Sequence, residues 1–463
     1  MRQNYARSKL PGLSSDFFCP CKHFLLSRLA FLVYPVLHTR NSSSISPRSR
    51  FHIQPHNPIA NISERALVLI VGTIQFINIV DFMMVMPLAP DFATELGIPT
   101  AHIGWIGGSY TAAAAIAAIV GASFIDRFDR RRAIVIAMLG LAFGTAAGAF
   151  ATGFYSLLAA RMVAGIFGGP ASSLAVAMII DQIPPARRGR ALGAVMGAFS
   201  AASILGVPAA LELARLGSWQ LPFVTVASTG LLVAIGAWFL LPPMMPSHSG
   251  PVGTAKLKQF LSFFTRRAAL WAYATTAAGM FAAFLIIPNI SAFVQFNLRY
   301  PREHLGMLYL VGGAASFFAM RLAGRLTDRY GSTPVATGGT LLLVITIYLG
   351  FYSANALVPV LTIFVGFMVA MSIRNIATTT LTTRVPGNHE RAGFMSINSA
   401  VQNVASALGA IVSSLLLETS KSGALTGMPV VALLAMLFAA ASPFLIHAVH
   451  NQVKRSENTA PDR

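Results

Sequence analysis

From Arg65 onward the chain alternates between apolar stretches of about twenty residues and short polar turns. At a rise of about 1.5 Å per residue, a helix of that length crosses roughly 30 Å of hydrocarbon. The pattern predicts spans at 66–90, 103–125, 133–151, 155–180, 191–211 and 219–241, then at 270–294, 305–327, 333–352, 357–383, 393–417 and 425–448. Pro170, Pro208 and Pro288 fall inside these spans, where neighbouring helices can satisfy the freed backbone groups. A polar segment rich in Pro, Gly and Lys, 242–269, separates two sets of six. The expected organisation is an N-terminal extension 1–60, a bundle 61–241, the linker 242–269, a second bundle 270–450 and a tail 451–463. The fold class is an all-α polytopic membrane protein.

Composition agrees with the pattern. Only 11% of residues are charged, against about 25% in an ordinary soluble domain, and 55% are hydrophobic. The formal charge of +19 does not call for a nucleic-acid partner, because the bases sit in short runs between apolar stretches rather than on one folded face. Arg127 and Arg130–Arg132, Arg187, Arg188 and Arg190, then Lys256, Lys258, Arg266 and Arg267 all fall in alternate turns. Arg329, Arg384, Arg391, Lys454 and Arg455 continue the series. Positive charge stays inside, which predicts cytoplasmic termini.

Residues 1–60 carry eight Lys or Arg against the single acid Asp16, and their one apolar piece is too short to span. The segment reads as a disordered cytoplasmic extension or as upstream sequence translated from an early start; a targeting or membrane-surface role is the alternative. Cys19 and Cys21 are the only cysteines, too few for a disulfide framework and without the further ligands of a metal site.

The second set of spans repeats the first at a displacement of 202 residues. Asp126-Arg127 returns as Asp328-Arg329, and Pro184 returns as Pro386. A parallel six-span repeat is a plan of alternating-access transporters, with the pathway between the halves.

The residues Ala122 to Arg131, with Asp126, Arg127, Arg130 and Arg131, resemble the loop motif of the major facilitator superfamily, in which Asp-Arg follows a glycine and precedes Gly-Arg-Arg. The second copy, with Gly324, Asp328, Arg329 and Gly331, matches the core more closely; the first has Ala122 and Asp129 at the glycine positions. Arg161 and Gly165 resemble the family's Arg-x-x-x-Gly element, associated with proton coupling in antiporters. Gly197, Gly206 and Pro208 resemble its glycine-proline packing motif without the strict Gly-Pro pair. The resemblance implies the major facilitator fold, two pseudo-symmetric six-helix bundles, a loop motif that works as a cytoplasmic gate, and the twelve-span drug/proton antiporter and sugar-efflux type. It implies a place in the bacterial cytoplasmic membrane, with both termini cytoplasmic.

Charges within the spans are the sharper candidates, since one near the membrane centre costs at least about 2.5–3.5 kcal/mol on insertion scales and so faces a cavity or a partner. Asp81, with Gln75 and Asn78 on or near its face, is a candidate for taking up a proton, binding a cation or positioning substrate; structural pairing is the bland alternative. Arg374 is the matching cation of the second half, suited to an anionic substrate or to a carboxylate partner. Arg161 is placed six residues into its span, near enough to the surface to snorkel. Arg321 reads as a gating or topology residue. Asn289, Gln295, Asn398 and Gln402 are polar candidates of lower rank, and Met83, Met84 and Met86 form either a pocket wall or a lipid contact.

A phosphate-binding Lys-Ser/Thr loop and a metalloprotease motif are both missing from the sequence, which argues against an ATP-driven pump and against an enzyme. The leading reading is a secondary transporter exporting a small organic solute, functional as a monomer in the bilayer, with no cofactor and a proton gradient as driving force. Proton-coupled uptake of a small metabolite, anionic or neutral, is the first alternative; a channel or receptor on the same scaffold is the second.

Overall fold

The computed structural model describes residues 62–121, 128–244, 263–353, 358–386 and 391–459. The extension 1–60, most of the linker and the motif residues Asp126 and Arg127 lie outside them.

Among the described residues, twelve helices are long and apolar enough to cross a membrane: α1 Glu64–Met84, α2 Thr100–Gly121, α3 Arg130–Ala149, α4 Phe154–Gln182, α5 Arg187–Leu216, α6 Gln220–Leu240, α7 Arg267–Asn297, α8 Arg302–Tyr330, α9 Ser332–Tyr352, α10 Val360–Thr382, α11 Gly393–Leu416 and α12 Met428–Arg455. Local chemistry sets several of their ends. The Ser63 hydroxyl accepts from the amide of Ala66 (3.2 Å) and caps α1. Asp129, standing where the loop motif has glycine, accepts from Arg131 N (3.0 Å) and Met244 N (2.8 Å). It therefore caps α3 and ties it to the segment after α6. Gly331 joins α8 to α9 at φ 87°, a conformation that favours glycine.

The first span is shorter than its hydrophobic run. The helix stops at Met84 instead of continuing to residue 90, turns through Pro87, and restarts as a seven-residue helix, Ala89–Glu95. Pro87 has no N–H to donate and its ring collides with the preceding turn, so the apolar stretch breaks there. In α5 the backbone widens into a π-helical turn at Ala202–Gly206, just before Pro208. The extra residue absorbs the missing donor and the ring clash that Pro208 would impose on a regular helix.

The pairing of helices repeats. In the first half α4 packs on α2 and α3, α3 on α6, and α1 on α5; in the second α10 packs on α8 and α9, α9 on α12, and α7 on α11. The halves meet along α2 against α11 and α5 against α8. Small residues let these backbones approach: a side chain at Gly104 would run into the Ala410 carbonyl, and one at Gly313 into Ser203 O at 2.8 Å. Large apolar side chains such as Phe143, Phe239, Leu437 and Phe444 stand exposed on the outside, as expected of a bundle solvated by lipid tails.

At the end away from the termini, side-chain bonds join the halves. Arg302 donates to both carboxylate oxygens of Asp91 (2.8–3.1 Å). Thr100 donates to the Gly423 carbonyl (3.0 Å), and Thr419 accepts from Ala101 N (3.0 Å). Gly423 and Thr419 belong to the turn between α11 and α12, which carries a two-residue antiparallel ladder, Glu418–Thr419 with Leu425–Thr426.

Candidate functional site

Asp81 lies one turn before the end of α1, and Arg161 two turns into α4, so the antiparallel helices bring them level. Arg161 Nη1 donates to Asp81 Oδ1 (3.0 Å) and Nη2 to Oδ2 (2.5 Å), a bidentate fork. Asp81 is 0% exposed and Arg161 1%. The arginine is thus fully interior and paired, and does not snorkel to the surface as its distance from the span end suggested. The hydroxyl of Thr145 on α3 lies 2.5 Å from Asp81 Oδ1 and 2.8 Å from the Leu141 carbonyl. It has one hydrogen to give, so it serves one oxygen at a time. Below the guanidinium lies the ring of Tyr110 on α2, at 5.1 Å to the centroid.

A polar ladder continues along α1. Tyr110 donates its hydroxyl to Asn78 Oδ1 (2.9 Å), while Asn78 Nδ2 donates to the Gly168 carbonyl (3.0 Å) and Ser172 Oγ (2.9 Å). Gln75 Nε2 reaches the same Ser172 Oγ (3.0 Å). Asp81, Arg161, Asn78 and Gln75 are therefore one network on α1 and α4, with Tyr110 and Thr145 as members the sequence did not disclose. A threonine inside the Gly/Ala-rich α3 and a tyrosine inside the Ala-rich α2 read as packing residues; only the helix pairing turns them toward the charges.

Arg374 does not join this network. It sits on α10 in the second half, 3% exposed. Its Nη2 donates to the Gly279 carbonyl of α7 (2.9 Å) and lies 3.4 Å from Met371 Sδ, while its buried Nη1 has no hydrogen-bond partner. The carboxylate partner that its position suggested does not occur among the described residues. Between the two halves lies an apolar layer: Met86 packs with Ala283, Phe284 and Ala410, flanked by Phe82 and Met371. Met84 and Met86 are buried, so these two are interior and not lipid contacts, while Met83 is half-buried.

Several other candidates have structural partners. Arg130 pairs with Asp181 at the end of α4 (3.2 Å). Arg131 stacks on Trp238 at 4.8 Å and donates to the Leu241 carbonyl (3.3 Å), so these two gate-motif arginines tie α3 to α4 and α6 within one half. Arg329 lies over the ring of Tyr330 at 5.2 Å, and Arg321 over Phe317 at 4.2 Å. Of the packing glycines, Gly165 abuts the Tyr110 carbonyl and Gly206 abuts Val80. Gly197 and Gly324 have open space where a side chain would go, so Gly197 is not a packing contact. Asn289 bonds Ser413 (3.0 Å) and Asn398 accepts from Thr276 (2.9 Å), both between α7 and α11.

Two six-helix repeats enclosing buried charges are the build of a secondary membrane transporter. The sequence model of the Major Facilitator Superfamily matches residues 71–410, and a second match covers 279–460. The chain belongs to that superfamily, and it is a transporter and not an enzyme. It is 25% identical over 333 residues to a chloramphenicol resistance protein of Streptomyces lividans, covering 72% of this chain and 84% of the relative. It is 26% identical over 346 residues to the purine ribonucleoside efflux pump NepI of Escherichia coli K12, covering 73% and 84%. Among solved structures, a bacterial homologue of the human lysosomal transporter Spinster, inward-facing and unoccupied, superposes with a TM-score of 0.68 at 17% identity, over 85% of this chain and 98% of that one. A D-xylose–proton symporter superposes at 0.65 with 16% identity, over 82% and 96%. These two likenesses concern the fold.

Proposed function

We propose that this transporter exports a small organic solute by alternating access, with protons moving the other way through Asp81. The observation that carries the reading is the bidentate Asp81–Arg161 pair, sealed from solvent between α1 and α4. A proton arriving at Asp81 cancels the carboxylate charge and removes the attraction that fixes Arg161. The hydroxyl of Thr145, shared between Asp81 and the Leu141 carbonyl, can then turn wholly to the carbonyl. Arg161 is left over the Tyr110 ring with its counter-charge gone, an arrangement that favours repacking of α1 against its neighbours. The same end of α1 carries Phe82, and Met86 follows in the turn; both pack into the apolar layer between halves, which links protonation to the contact that must change when the halves rock.

Export is favoured by the purine ribonucleoside efflux pump among the relatives. The basic turns support cytoplasmic termini; with that orientation the Asp91–Arg302 and Thr100–Gly423 joints close the outer face. The monomer contains the full network.

Transport by purified protein in proteoliposomes, with an imposed pH gradient and with chloramphenicol, inosine and benzoate as solutes, tests the reading. At least one solute is expected to move against the flow of protons and to stop when a protonophore collapses the gradient. Movement in the same direction as the protons, or movement indifferent to the gradient, contradicts it.

A further inference from the structure

The repeat that relates the two halves also shows where they differ. The 202-residue displacement carries Ser172 onto Arg374, Asn78 onto Met280 and Gln75 onto Ala277. In the first half Ser172, Asn78 and Gln75 satisfy one another. In the second half the two partners have become apolar and the hydroxyl has become a guanidinium. Arg374 is accordingly left with one anchored nitrogen and one buried nitrogen that donates to nothing. A buried cation with an unused donor is unstable unless something else supplies a counter-charge.

The surroundings of Arg374 fit that need. It lines a small cleft of about 40 Å³ together with Thr276, Asn375, Thr378, Asn398 and Gln402, on α7, α10 and α11. That is room for a carboxylate group and not for a whole organic solute, so only the acid group of a ligand enters it. Thr276 donates to Asn398 Oδ1 (2.9 Å), which leaves the Asn398 NH2 group as a donor. Nη2 is held by the Gly279 carbonyl, so the guanidinium plane is fixed while Nη1 remains available for an acceptor. Among the described residues lining the cleft none is a carboxylate, and Arg374 is the one cation. One fixed positive charge is neutralised by one negative charge, so a doubly charged phosphate would overcompensate it where a carboxylate would not.

We infer that the cleft at Arg374 is the subsite that recognises the exported solute, and that the solute is a small organic monoanion bound through its carboxylate-type group. The inference rests on the export reading above and adds the substrate class to it. The carboxylate accepts from Nη1 of Arg374 and from the amide and hydroxyl groups around it. The apolar remainder of the solute lies toward Met280 and Met371, flanking the apolar layer between the halves.

The test uses full-length protein and four acid–amide pairs of the same shape: benzoate and benzamide, salicylate and salicylamide, nicotinate and nicotinamide, 2-naphthoate and 2-naphthamide. Binding is read by isothermal titration in detergent, with transport in proteoliposomes as a second readout. At least one acid is expected to bind about tenfold more tightly than its amide, a preference lost in Arg374→Gln and partly kept in Arg374→Lys. Intact helicity and an unchanged monomeric elution profile exclude misfolding of the variants. Acids and amides that bind alike, or fail to bind throughout the set, overturn the inference, as does an Arg374→Gln protein with the wild-type preference. The Asp81→Asn variant separates the two readings. If it keeps acid binding and the wild type shows no proton-driven movement, the coupling reading fails and this one stands. If Arg374→Gln still exports neutral solutes on the gradient with full rate, this one fails alone.

Discussion

The energetics of the Asp81–Arg161 pair lend themselves to a direct measurement. Both side chains are sealed, at 0% and 1% exposure, and the geometry is bidentate. Replacing Asp81 by Asn leaves Arg161 as a buried cation without its counter-charge, and replacing Arg161 by Gln leaves the converse. Each single change is expected to cost about 3–5 kcal/mol. The double variant, with two neutral amides able to bond each other, removes the uncompensated charge and is expected to lose only about 1–2 kcal/mol, since buried pairs are often replaceable at little net cost. The cycle therefore predicts a coupling energy of at least about 4 kcal/mol between the two positions. Reversible unfolding in mixed micelles of rising dodecyl sulfate content, followed by the fluorescence of the four tryptophans, supplies the four free energies. A coupling below about 0.5 kcal/mol would refute the pairing on which the functional account stands.

Three other expectations follow from the same geometry. Thr145→Val deletes the hydroxyl beside Asp81 Oδ1 and is expected to destabilise by about 1.5–3 kcal/mol, the worth of a bond to a charged group, with Thr145→Ser retaining most of it; equal losses in both variants would contradict the role. Asp91→Asn weakens the joint to Arg302 by about 1 kcal/mol, so a cysteine placed at Thr419, in a background lacking Cys19 and Cys21, is expected to react with an impermeant thiol reagent several-fold faster. Burial holds the Asp91 carboxyl above the ordinary carboxylate range, against the opposing pull of Arg302 and with a small push from Glu95. That burial cost offsets part of the attraction to Arg302, which keeps the loss in Asp91→Asn small; a labelling rate unchanged in Asp91→Asn would contradict the joint. Gly104→Val puts a side chain against the Ala410 backbone and should hold the outer end apart, raising the same labelling rate.

Much of the architecture was legible because lipid imposes a simple rule: each crossing needs about twenty apolar residues, and the described residues contain twelve such helices. The rule is blind to local breaks, which is why the run through residue 90 concealed the turn at Pro87 and the separate helix carrying Asp91. The charged members of the network stood out for the same reason that they are costly in hydrocarbon. Their partnership did not, since Asp81 and Arg161 lie eighty positions apart and only the antiparallel packing of α1 and α4 makes them level. Position within a span also misled for Arg161: distance from the helix end suggests access to water, whereas the face it occupies points into the bundle. Arg374 was visible as an intramembrane charge, and its lack of a carboxylate became visible only with the fold.

The central claim is that Asp81 carries the transported proton. Proteoliposomes loaded with a pH-sensitive dye and given an outward solute gradient report it directly, using whichever solute the protein exchanges. The wild type should acidify its lumen in step with solute efflux, and Asp81→Asn should exchange solute while moving no protons. Proton movement at the wild-type ratio in Asp81→Asn would contradict the claim.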